Sequence, residues 1–412
     1  MECKTINHRI MESQTLKLPN LHSAVISDNE MLDKSIDFTR PLAEYPTVQK
    51  IAEFLKLDIK PKHIYTESLN INGLVVQDAM EKYLENNALS SSMFKAALKT
   101  PLHFEFAKSE DKEELEKIKG TPAYFNLGTF LHQAILEPTK FSRVIVEPDF
   151  KLNTTEGVES MIKFWEDKIQ SNGFAVIENE EIEHALAIGL TKESILKLGL
   201  SLDKIDGKRK YCDLLKKHSD LEPVTTENFL KIQILKKHYE NYGGGILKRL
   251  LHHSKREISM YLKDKSTGLN VKIRPDAIQF EENIGVNAII SVKSSGIEDL
   301  KAFYYQAAKL NYDLSEGMYQ EVATSCTERD FNTTIMVMLQ TVAPYAIAIL
   351  VWSAEDIEMG KHKYHFALNS AKEIIDKKSI KGYEVFSEEE NFGLIQMSLP
   401  NWNQQEYLPV NI

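Results

Sequence analysis

A chain of 412 residues with 42% hydrophobic content can bury one large core or two modest ones, so it is expected to fold as a globular protein. Its formal net charge of −10 rules out a general attraction for phosphates and confines any nucleic-acid contact to a local patch. Cys3, Cys212 and Cys326 are odd in number and far apart, which excludes a C-x-x-C zinc or iron–sulfur site and suits a reducing cytoplasm.

The first residues, MECKTINHRIMESQ, lack the apolar segment of a signal peptide, and the longest apolar run, Ala346 to Trp352, has the length of a strand rather than of a membrane span. No membrane association is expected. Residues 1–85 are polar and mixed and read as an accessory region, with helical patterns around Val48–Leu57 and Val75–Leu84. Next, LSSSMFKAALKTPLHFEFA places Ser90 to Ser92 as caps of a helix that ends before Pro101. A second helix is expected from Tyr124 to Glu137, closed by Pro138.

Between 148 and 206 the chain turns acidic and helical and reads as an inserted unit that separates residues 86–147 from a core resuming at 207. A helix over Thr226–Tyr239 follows, and the Gly243–Gly245 triplet breaks it. From Lys255 the pattern changes to strands: REISMYL, NVKIRPDAIQF and NAIISVKSS are expected as a three-stranded meander. One helix is then expected from Ile297 to about Ala323, two strands (TTIMVMLQTV and YAIAILVW) around Ala343-Pro344, and a long helix from Ala354 to about Asp376; residues 386–412 form a tail. That order predicts an α/β fold with a mixed central sheet flanked by helices.

Chemistry concentrates between Ile273 and Ser295. Asp276, after Pro275 at a strand bend, could bind a divalent cation directly, and Lys293 could stand beside the attacking water and stabilise a phosphorane-like transition state. The backbone carbonyl of Val292 would face the same ion. Ser291 stands where an acid-x-Lys tripeptide would carry its carboxylate. His132, on an otherwise apolar helix, is by default a satisfied core residue, but with Asp276 and Lys293 nearby it could be a further ligand. His252-His253 with its neighbouring Lys and Arg, and Lys208-Arg209-Lys210, read as solvated basic faces. There is no P-loop, no G-x-S-x-G and no H-E-x-x-H, so nucleotide hydrolysis, serine esterase chemistry and zincin proteolysis find no support.

Four segments in order, LSSSMFKAALKTPLHFEFA, FNLGTFLHQAILEPTKF, REISMYLKDKSTGLNVKIRPDAIQF and APYAIAILVWSAEDIEMGKHKYHFAL, together resemble the exonuclease VIII family. These are the phage-type recombination exonucleases of the PD-(D/E)XK nuclease superfamily. The resemblance covers Leu89–Phe141 and Val224–Tyr383. It implies a PD-(D/E)XK nuclease-like core with a helical insertion, and a Mg²⁺- or Mn²⁺-dependent exonuclease acting on linear duplex DNA. It further implies a homo-oligomer, a single-strand annealing protein as partner, and the cytoplasm of a bacterial or phage-infected cell. His132 and Asp276 match the family's metal ligands, Lys293 its catalytic lysine, and Tyr319 a tyrosine on the helix after the active-site strands. Two positions depart: Ser291 replaces a metal carboxylate, and Ser315 replaces a glutamine four residues before the tyrosine. Activity is therefore expected to be weakened unless a hydroxyl, a water, a partner or a nearby acid such as Glu316 fills the place. The alternative is an inactive nuclease fold that binds DNA ends or a recombination partner.

Overall fold

The computed structural model describes residues 40–56, 69–109, 123–171 and 203–397. At the centre lies a five-stranded sheet of β4 (Lys255–Arg256), β7 (Ala277–Gln279), β8 (Asn287–Ser295), β9 (Phe331–Gln340) and β10 (Ile347–Val351), in the spatial order β10-β9-β8-β7-β4. Strands β8 and β9 run parallel and the other neighbours antiparallel, so the sheet is mixed as expected. Both faces are covered, which is why Ala288 to Val292 reads as a continuous apolar run broken only by Ser291.

Period-two alternation sorts that run between two layers. Ala288, Ile290 and Val292 pack with Ile335, Val337 and Leu339 against α5 (Ala123–Leu136), α8 (Thr226–Asn241) and α9 (Ile246–Leu251), joined by Ile51 and Leu55 of α1 (Val48–Lys56). On the opposite face, Ile289 meets α3 (Ser91–Ala97), α4 (Pro101–Lys108), α11 (Tyr312–Thr327) and α12 (Ala354–Lys377) through Phe94, Phe104, Met318 and Leu368. Helices α11 and α12 cross closely because Gly360 lies on the Asp313 backbone, where a Cβ would run into the Asp313 carbonyl.

Several local expectations give way to tertiary pairing. Leu74–Val76 forms β1, not the start of a helix; it adds antiparallel to β5 (Ser259–Lys263), and the helix α2 begins only at Met80. The expected strands REISMYL and NVKIRPDAIQF each split in two. β5 and β6 (Asn270–Ile273) join β1 in a three-stranded sheet, whereas β4 and β7 belong to the central one. Both breaks fall at one place: Glu257 takes a positive φ of 52° and its N–H donates to the carbonyl of Asp276, while Pro275 has no N–H for a ladder. The single helix expected from Ile297 is two, α10 (Leu300–Lys309) and α11, separated at Asn311 in a left-handed conformation.

Two further strands were not foreseen. β2 (Val144–Glu147) and β3 (Glu222–Thr225) pair in parallel, and between them the chain makes α6 (Thr155–Ser171) and α7 (Ile205–His218). These two helices share a small core of Met161, Trp165, Tyr211, Cys212 and Leu215, so α7 packs with α6 rather than with the central sheet. Most of the acidic stretch expected here lies outside the described residues, as do residues 1–39. Among the described residues no helix is long and apolar enough to cross a membrane.

Candidate active site

Four separate chain segments deliver the site. His132 sits on α5, Glu257 at the β4–β5 bend, Asp276 at the β6–β7 bend and Lys293 near the end of β8. One donor atom from each of His132, Glu257 and Asp276 lies within 4.8 Å of the others. His132 Nδ1 is 3.8 Å from Asp276 Oδ1, and Lys293 Nζ is 3.8 Å from Asp276 Oδ2. The Val292 N–H donates to Asp276 Oδ2 at 2.5 Å, which fixes that carboxylate from β8.

The seating of His132 has a physical cause at each end of α5. Gly128, one turn earlier, faces Ser294 of β8: a Cβ there would lie 2.7 Å from Ser294 Oγ, so the glycine lets the helix approach the strand. At the other end the Arg256 guanidinium donates to the carbonyls of Ile135 at 3.3 Å, Leu136 at 3.0 Å and Leu251 at 3.1 Å. It satisfies the orphan carbonyls of the helix terminus and draws α5 to the bend that carries Glu257. Glu257 is held in turn by Arg274, whose Nε donates to it at 3.1 Å while Nη1 binds Ser259 Oγ and Asp78.

The departure at position 291 acquires a neighbour. Ser291 is buried and donates to both oxygens of Glu316 on α11, at 2.8 and 2.9 Å. Burial pushes the Glu316 carboxyl above its ordinary range; the Lys293 ammonium and the Ser291 hydroxyl pull it back in part. Burial, with the charge of Asp276 added, also raises Glu257. Lys293 is drawn down by burial, but Asp276 and Glu316 more than offset this, so its pKa is raised and it remains an ammonium. Burial keeps Tyr319 protonated, reinforced by the charges of Glu316 and Asp276. Ser315 is buried on α11 beside Glu316.

These shifts set a pH dependence. Between the ordinary glutamate value of 4.5 and its raised folded value, Glu316 holds more protons folded than unfolded. Its contribution to stability is present below 4.5 and is lost as pH rises through the folded value. In metal-free protein the Glu316→Gln variant should therefore gain on the parent in thermal midpoint as pH is raised above 4.5. A gap that stays constant or shrinks would show that Glu316 is not held in its neutral form.

The structure thus brings His132, Asp276 and Lys293 together and sets Tyr319 on the adjacent helix α11. Val292 enters through its amide rather than through any contact of its side chain, which is fully buried. Glu257 escaped the sequence reading, although a charge inside the strand-like REISMYL was its available signal. An imidazole and two partly exposed carboxylates this close form a donor set that could hold a metal ion.

No family model and no curated protein matches the chain. Among solved structures it is similar to one named "Putative exonuclease" from Eubacterium rectale, at 14% identity and a TM-score of 0.29, over 49% of this chain and 75% of that one. A likeness of that degree decides neither fold family nor activity.

Proposed function

We propose that the chain is a divalent-cation-dependent nuclease with a PD-(D/E)XK-type core, acting on linear duplex DNA. The observation that carries this reading is the convergence of His132, Glu257, Asp276 and Lys293 from four segments onto one bend of the sheet. His132, Glu257 and Asp276 would hold the cation, with the Val292 carbonyl as a further oxygen donor. The ion, Mg²⁺ or Mn²⁺, would supply positive charge for the scissile phosphate and a lowered pKa for its water.

The remaining steps belong to the chain's own side chains. Lys293 presents its ammonium where negative charge grows on the phosphate, and Asp276 keeps it aimed. Tyr319, held protonated by burial on α11, offers a hydroxyl donor near Glu316 and Asp276. Glu316, bonded to Ser291, brings a carboxyl group beside the position that lacks its acid.

End-labelled linear duplex incubated with the purified chain and Mg²⁺ or Mn²⁺ should be shortened from its ends, and EDTA should stop the reaction. An uncut duplex at protein concentrations that bind it would overturn the nuclease reading. That outcome would favour a silent DNA-end-binding role, for which one observation speaks: Glu316 faces Ser291 and lies outside the group formed by His132, Glu257 and Asp276.

A further inference from the structure

Lys95, on α3, is unused by the chemistry above, yet it shares an aromatic wall with Lys293. Its Nζ lies 5.4 Å from the centroid of the Tyr312 ring, and Lys293 Nζ lies 5.9 Å from the same centroid. We propose that Lys95 is a substrate-binding residue that seats a backbone phosphate of the DNA strand next to the scissile one, so that Tyr312 separates two phosphate-facing ammonium groups. This rests on the nuclease reading.

Three observations support it. First, the acids near Lys95 have other partners: Glu316 accepts from Ser291, and Asp313 binds Lys363 Nζ through Oδ2 at 2.6 Å. No ion pair is seen for Lys95 among the described residues. Second, burial and then the neighbouring Lys293 pull the Lys95 ammonium down to about 8, so the pair is a like-charge arrangement that an anion would relieve. Third, α3 is packed on the helix that carries Tyr312, since Phe94 and Ala97, on either side of Lys95, share a core with Leu314 and Met318 of α11. A purely structural lysine would need only the Tyr312 ring. For a chain of net charge −10, by contrast, a local pair of ammonium groups is the kind of feature that can attract DNA.

The test is equilibrium binding of the full chain to a short fluorescein-labelled duplex in EDTA, where nothing is cut, read by anisotropy across a salt series. Loss of one phosphate contact should weaken binding and reduce the slope of log K against log salt by about 0.9 for Lys95→Met, while Lys95→Arg keeps the parent slope. With the cation present, Lys95→Met should raise KM more than it lowers kcat. Lys95→Gln supplies a second neutral variant, and a thermal midpoint near the parent's confirms that each variant is folded. Parent-like slope and affinity in a folded neutral variant would overturn the assignment of Lys95 and leave the nuclease reading standing. A parent protein that does not bind the duplex at all would overturn both.

Discussion

Asp276→Asn should abolish cleavage of linear duplex. Loss of a residue that merely supports a metal ligand typically lowers metal affinity or activity about 10- to 100-fold, so a carboxylate proposed to touch the ion should cost more than about 100-fold. Asp276 also faces more of the site than any other side chain, through His132, Lys293, the Val292 N–H and the shared group with Glu257. Asparagine keeps an oxygen for the Val292 N–H and removes one of two carboxylates crowded at the bend. The relief of the Asp276–Glu257 crowding is set against the loss of the charge facing Lys293, so the metal-free variant should stay folded with a thermal midpoint close to the parent's. Two measurements check this: single-turnover cleavage, and the rise in thermal midpoint on adding Mn²⁺, which the variant should lose. Lys293→Met should behave differently, keeping the Mn²⁺-dependent rise while cleavage falls by about 10²–10³. Cleavage by Asp276→Asn at the parent's rate would remove this site from the reaction.

Ser291→Asp, which on sequence grounds would simply put back a missing acid, should instead damage the protein. The Ser291 hydroxyl already contacts both oxygens of Glu316 in a buried setting, so an aspartate would set two carboxylates against each other. One must take up a proton or remain a poorly compensated buried charge, at a cost of about 3 kcal/mol. Adding Glu316→Gln should relieve this by supplying an amide donor, and the pair should show a coupling energy of about 0.5–3 kcal/mol in a double-mutant cycle. The double variant moves the acid from α11 to β8 and should cleave better than either single change. Denaturant titration of the four proteins, with cleavage rates alongside, gives the answer. A Ser291→Asp protein that is both as stable as the parent and more active would show that Glu316 does not occupy that space.

How much was legible follows the range of the forces involved. Helix α12 begins where Ser353 caps it, its side chain accepting from the Asp356 N–H, and β9 and β10 are apolar runs of strand length; such signals sit within a few residues. His132, Asp276 and Lys293 could be picked out because an imidazole on an apolar helix, an acid after proline and a lysine in a buried strand are each locally odd. Glu257 was not, since REISMYL alternates like an ordinary strand. Nothing local shows that its second residue takes a positive φ and bonds to the Asp276 carbonyl.

The sequence alone determined the α/β class, the runs that become β8, β9 and β10 and the long helix α12, and it singled out three polar groups that lie close together, because capping, periodicity and turn chemistry act over one or two turns of chain. Only the tertiary structure decided that two expected strands divide between two sheets, that Arg256 draws α5 to the Glu257 bend, and that Glu316 rather than a vacancy meets Ser291. Those outcomes depend on which distant backbone and buried polar groups find partners when the layers close. A buried donor or acceptor left unpaired is costly enough to override local preference.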